Sequence, residues 1–232
     1  MKHQAFVTYV LMIYLAAVSS CTLSIKATLR PDTQIDLSYT SEIKPKIAAL
    51  FKDLNGSHQN TATPLLSAQV VTASLQKVPE LSQVITRESA QALEGSLRIT
   101  KLEALSQRFP FIIQKKEGSE NLLNLSINRD TARQLVGLFT TDVRDYLEAL
   151  MAPVITGEEL SAKEYLDLLS SVYGKTIAQE IEASRVSLKF QVPGTITRVI
   201  GGTSSGGEAV FAIPLIDLLV VQKPLFYQLV WK

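Results

Sequence analysis

The 232-residue chain carries 23 basic and 22 acidic residues, is 46% hydrophobic and contains one cysteine. A near-neutral chain without a long basic run gives no electrostatic ground for a nucleic-acid partner, and a lone cysteine excludes an internal disulfide. The length suffices for a full hydrophobic core, so the fold must hold by packing.

The first twenty-one residues have the grammar of an export signal. Lys2 supplies a short positive region, Ala5 to Val18 an uncharged apolar stretch, and Val18-Ser19-Ser20 a run of small residues ending at Cys21. The pattern resembles a bacterial lipoprotein signal with a relaxed lipobox. The resemblance implies cleavage after Ser20, acylation of Cys21 and a membrane as partner through that lipid. Two or three acyl chains on one residue hold far more firmly than the marginal single chain, at about 0.8 kcal/mol per buried CH₂. Removing residues 1–20 leaves 212 residues and takes Lys2 away, so 22 basic residues face 22 acidic ones. Residues 21–232 are expected to form one domain on the membrane or outer-membrane surface.

Period-two alternation begins at once. Leu23, Ile25, Ala27 and Leu29 alternate with polar residues, Pro31-Asp32 supplies a turn, and Ile35, Leu37 and Tyr39 alternate again, which predicts an antiparallel hairpin. Ile43, Ile47, Leu50, Phe51 and Leu54 form a helical stripe behind Ser41; residues 55–63 predict a polar loop, and Thr63-Pro64 opens a second helix to Lys77. Over 80–108 the signals conflict: Leu81, Val84 and Ile85 suit a helix turn or a strand, whereas Leu93, Gly95, Leu97 and Ile99 alternate as a strand. Residues 109–116 and 123–127 predict two strands about a polar turn.

The middle of the chain has helical spacing. Ala132, Leu135, Val136, Phe139, Val143, Tyr146, Leu147 and Leu150 form a stripe that Pro153 is expected to close. Ser161 and Glu164 make a capping box ahead of Tyr165, Leu166, Leu169, Val172 and Tyr173, Gly174 ends that helix, and another covers 176–183. Strand patterns then return: 186–192, the Pro193-Gly194 turn, 195–200, the Gly-rich turn 201–207, 209–213, and 225–231. The apolar run 209–221 is interrupted by Pro214 and Asp217 and is too short to span a bilayer, so it is assigned to the core. Strands enclosing a helical middle predict an α+β fold, a largely antiparallel sheet with the helices packed on one face.

A cysteine leading straight into a strand pair, Ser184 with the run Val-Ser-Leu-Lys-Phe-Gln-Val-Pro-Gly-Thr-Ile over 186–196, and a closing Leu-Val-Trp strand together resemble the LppM-type bacterial lipoprotein domain. That resemblance implies a surface-anchored α+β module with a lipid-binding type of fold. It carries no catalytic residues to transfer.

Candidate chemistry is otherwise sparse. After the signal, His58 is the sole histidine and lies in a polar stretch, so multi-histidine metal sites within one chain are excluded and any Ser-His-Asp triad would depend on it. The GGTSSGG run lacks the Lys of a phosphate loop and lies between strands. Glu158-Glu159 and Asp142/Asp145 are expected to be solvated, and Asp217 to need a partner if buried. The expectation is a non-enzymatic, membrane-anchored envelope lipoprotein that needs no cofactor. Its long apolar stripes predict a lipid or other apolar ligand lined by Phe139, Val143, Leu147, Phe211 and Ile213; the alternative is a scaffold or protein-interaction module with a solid core.

Overall fold

The computed structural model describes residues 22–42, 68–89, 92–108, 111–137 and 148–232. Strands β1 (Thr22–Leu29) and β2 (Ile35–Glu42) form the expected hairpin, in register from Thr22 opposite Glu42 to Leu29 opposite Ile35. Helix α1 (Ala68–Leu75) follows and ends ahead of Pro79. The conflicted stretch resolves into β3 (Leu81–Glu88), β4 (Ala92–Ile99) and helix α2 (Leu102–Arg108). Strands β5 (Ile112–Glu117) and β6 (Glu120–Ile127) flank a tight turn, and α3 (Arg129–Gly137) starts the middle stripe.

The second half runs α4 (Ala152–Thr156), α5 (Ala162–Tyr173), α6 (Lys175–Ala183), β7 (Arg185–Gln191), β8 (Ile196–Ile200), β9 (Thr203–Ser205), β10 (Glu208–Pro214), α7 (Leu215–Val220) and β11 (Leu225–Trp231). The α+β class therefore stands. The strands, however, build two sheets. One has seven strands in the order β3-β4-β2-β1-β7-β10-β9, and the other has four in the order β5-β6-β11-β8. All neighbours are antiparallel except β1 and β7, which run parallel in the centre of the larger sheet.

Alternation decides which face of the larger sheet is buried. Leu23, Ala27, Leu29, Ile35, Tyr39, Leu97, Val186, Phe190, Phe211 and Ile213 all point to one side, where they join helical and second-sheet residues in a single hydrophobic cluster. Lys26, Ser38, Ser96, Glu94 and their neighbours occupy the open side. At the centre of the helical layer α7 is buried on nearly every side and packs on α4, α5, α6 and β10. A helix apolar all round needs such a surrounding.

Local chemistry explains the joints. Ser161 Oγ accepts from the Glu164 N–H at 3.2 Å while Ser161 N–H donates to the Glu164 carboxylate at 2.8 Å, completing the capping box of α5. The Ser161 hydroxyl, which also donates to the Glu164 carboxylate at 2.7 Å, first, and the Ser161 N–H next, hold that carboxyl below the usual range. At the far end of α7, Val221 takes a left-handed conformation, φ 40°. Arg129 satisfies the carbonyls there: it donates to Val221 O at 3.2 Å, Gly157 O at 3.1 Å and Glu158 O at 2.8 Å. The chain changes sheets at Gly201-Gly202, between β8 and β9. A Cβ on Gly202 would stand 2.5 Å from both Phe211 Cδ1 and Val210 O, and one on Gly201, φ 79°, 2.7 Å from Tyr227 Cδ1, so the corner closes only without side chains.

Two expectations need correction. Pro153 lies within the first turn of α4, where a missing N–H costs nothing, instead of closing the preceding helix. The Gly-rich turn contains strand β9, paired with β10 from Thr203 to Ser205. The helix predicted over 43–54, the loop at 55–63 and the centre of the 132–150 stripe lie outside the described residues, as does Cys21.

Candidate functional site

Strand β1 begins at Thr22. Thr22, one residue after Cys21, is paired with Glu42 on one side and with Arg185 on the other. The same row continues to Ala92 beside Glu42 and Pro214 beside Arg185. Thr22 therefore opens a strand in the middle of the larger sheet. The row is closed by helix ends: the Leu215 N–H donates to Ser184 O at 3.0 Å, and Arg185 folds back to donate to the carbonyls of Glu182 and Ser184. The seven residue steps from Thr22 to Leu29 set the opposite end of the sheet about 23 Å from this row.

At that opposite end the β1–β2 turn carries a charge cluster. Asp36 accepts from Arg98 Nε at 2.6 Å and from Arg30 at 2.9 Å. The Arg98 bond first, and the Arg30 bond next, hold the Asp36 carboxyl below the ordinary range. A small hollow of about 90 Å³ lies between this turn and the second sheet, with Leu29, Arg30, Gln114, Pro193 and Trp231 among its walls. A second hollow, about 250 Å³, lies on the open side of the larger sheet and is lined by Lys26, Thr28, Ser38, Gln83 and Ser96 together with Asp36, Leu37 and Leu97. Neither has the apolar lining of a lipid site.

Of the five apolar residues assigned to a ligand, two are described. Phe211 and Ile213 lie on the buried side of β10 at 2% and 1% exposure. Phe211 makes edge-on contacts with Phe190 at 5.8 Å and Tyr227 at 5.5 Å between ring centroids, which joins the two sheets. Phe139, Val143 and Leu147 lie outside the described residues, as does His58. Among the described residues no group of three or more His, Cys, Asp and Glu stands close enough to hold a metal ion.

The buried polar groups are mostly structural. Tyr165 donates to Leu150 O at 2.7 Å, and burial first, then the nearby Tyr173, pushes its phenol up. Tyr39 shares a 3.0 Å hydrogen bond with Thr86 and is likewise raised by burial. Gly95 lies under the Tyr39 ring, where a Cβ would collide with the hydroxyl. Asp217 sits in the first turn of α7, half-buried; burial raises its carboxyl and the positive charge of Arg185 draws it back. Glu158 and Glu159 are exposed, as expected of them.

The larger sheet's open side and its lysines escaped sequence reasoning because their grouping needs the parallel β1–β7 register. The outward side of the second sheet did too. There Ile113, Ile200 and Phe226 are exposed beside Leu122 and Val230. No helix among the described residues is long and apolar enough to cross a membrane.

No family model and no curated protein matches the chain. Among solved structures it is similar to the folded domain of the Mycobacterium tuberculosis LppM protein, determined by NMR, with 11% identity over 91% of this chain and 88% of that one and a TM-score of 0.43.

Proposed function

We propose that the chain is an exported, non-enzymatic lipoprotein of the bacterial cell envelope, anchored through acylated Cys21, whose domain serves as a scaffold or protein-interaction module with a solid core. The anchor follows from the signal-like residues 1–20 and the small residues before Cys21. It fits the entry of β1 at Thr22, because an acylated cysteine there holds the sheet directly on the membrane without a tether.

The observation that carries the solid-core reading is the closure around Phe211 and Ile213. Both side chains are sealed, and Phe211 is clasped between Phe190 and Tyr227, which favours packing over a ligand cavity at these two positions. Labelling cells with a radioactive fatty acid tests the anchor: the label enters the wild type, and Cys21→Ala loses both the label and the membrane. Label retained in that variant refutes acylation at Cys21. Native mass spectrometry of the protein after incubation with envelope lipids tests the core: a ligand-free mass is expected, and a stoichiometric lipid adduct overturns the solid-core reading in favour of a lipid carrier.

A further inference from the structure

The open side of the seven-stranded sheet brings together two lysines, Lys26 and Lys189. Side chains on this side form rows across the strands, and the central row contains Ser96, Ser38, Lys26, Lys189 and Val210. Lys26 and Lys189 are direct partners in the parallel β1–β7 pair. Their backbones stand about 4.8 Å apart and their side chains leave the same face. Like charges set side by side in a sheet destabilise it.

Charges on this face are matched only in part. Asp36 is held by Arg98 and Arg30, and Arg87 stands opposite Glu94. Among the described residues neither Lys26 nor Lys189 makes an ion pair; Glu208 lies one row away, opposite Gln191. Next to Lys26 lies the hollow of about 250 Å³ whose polar lining includes the hydroxyls of Thr28, Ser38 and Ser96. The lining also holds Leu37, Leu97 and Asp36, whose carboxylate is taken up by Arg98 and Arg30, and Gln83, which is in a β-bulge: the β3–β4 register slips between Ser82 and Ile85, and Gln83 has φ 52°, a conformation uncommon outside glycine. The bulge brings an exposed amide into the hollow's lining that a regular strand would direct elsewhere.

We infer that this row is a binding site for a phosphate-bearing group. Backbone donors on these strands are engaged in the ladder, so side chains must do the recognition. Two ammonium groups one strand apart can share a phosphate between them by charge-assisted hydrogen bonds, and the remaining phosphate oxygens reach the hydroxyls beside Lys26. A phosphate monoester offers three terminal oxygens in a tetrahedral spread and close to two charges, against two oxygens and one charge for a carboxylate or a phosphodiester, so it serves the lysines and the hydroxyls together. The ligand chemistry is a phosphate monoester, from a soluble phosphorylated polyol or from a monoester lipid headgroup. The inference does not depend on acylation of Cys21.

The test is a titration of the purified, ¹⁵N-labelled full chain at constant ionic strength, in one arm with glycerol 3-phosphate and in the other with vesicles containing phosphatidic acid. Saturable shifts are expected at Lys26, Thr28, Ser38, Ser96 and Lys189. Lys26→Gln and Lys189→Gln should each weaken binding about tenfold, the loss typical of one hydrogen bond to a charged group. Arg87→Gln, on the same face and outside the row, should leave the affinity unchanged. Both lysines are on a solvated face, and an unchanged spread of amide shifts verifies that the variants fold. Saturation by glycerol 3-phosphate identifies a soluble ligand, and saturation by vesicles alone identifies a headgroup. Absence of saturation in both arms overturns the proposal, as does equal weakening by Arg87→Gln or equal binding of acetate.

Discussion

The two sheets solve the problem of a second face differently. The larger buries one side in the common core and gives the other to lysines, carboxylates and hydroxyls, in the clean alternation that antiparallel sheets permit. The smaller buries Leu123, Leu125, Ile127 and Leu229 to varying degrees on its inner side, yet its outer side also carries Leu122, Val230, Ile113, Ile200 and the 45%-exposed Phe226. The larger sheet is thus suited to polar recognition on its open side. The smaller is apolar on its inner side and mixed on its outer one, where those five stand among Lys115, Asn124, Ser126, Arg198 and Gln228, so apolar residues on its two sides differ in how much stability rests on them.

That contrast predicts the largest and most divergent effects. Phe211→Ala empties a sealed position between two rings and should destabilise the protein by about 3–5 kcal/mol, as aromatic truncations in cores do. Phe226→Ala, on the outer side of the smaller sheet, should change stability by no more than about 0.5 kcal/mol. Urea unfolding of both variants decides the matter. Comparable losses would mean that the outer side is as much a part of the core as the inner one.

A middle-sized effect is expected where the sheets meet. Gly202→Ala must push its new methyl against Phe211 and the carbonyl of Val210, and overpacking of this kind costs about 1–3 kcal/mol. The loss should shrink when Phe211 is already alanine, because one of the two collisions is then gone. A double-mutant cycle reads this coupling directly, and strict additivity would separate the corner from the aromatic bridge.

Legibility of the sequence follows the same division. The β1–β2 hairpin was readable because Leu23 to Tyr39 keep period two without interruption, and the capping box of Ser161 and Glu164 because it is a purely local signal. Strand β3 was ambiguous for a physical reason: the bulge at Gln83 breaks the alternation, so Leu81 and Val84 are both buried three residues apart and imitate a helix. Helix α7 gave no period since nearly every residue of Leu215–Val220 is buried. Helix α2 was missed in a short polar stretch where tertiary contact with β5 supplements weak local signals. The division into two sheets and the pairing of Lys26 with Lys189 depend on partners more than a hundred residues apart, which no local pattern encodes. For the proposed ligand positions, Phe211 and Ile213 were correctly placed on a strand facing inward, but whether an inward side chain fills a core or lines a cavity is decided by what stands opposite it.

The smallest expected effect concerns the charges of the larger sheet's open side. Asp36 has a lowered pKa, from its hydrogen bond to Arg98 first and to Arg30 next. A carboxylate depressed in the folded state adds stability that is fully present above its unfolded pKa, near 4, and is lost as the pH falls through the lower folded value. Asp36→Asn should therefore lower the thermal midpoint slightly at neutral pH, by less than Gly202→Ala does, and the two proteins should converge as the pH is taken below the usual carboxylate range. The effect is kept small by exposure, since the Asp36 side chain remains 38% accessible and salt screens it. Asp217 acts with the opposite sign: burial raises its pKa, so its protonation on acidification adds stability, which makes comparison with the variant, and not the wild-type profile alone, the informative measurement. A gap between wild type and Asp36→Asn that stays constant from pH 7 to strongly acidic conditions would show that the Arg98 and Arg30 contacts do not act through charge.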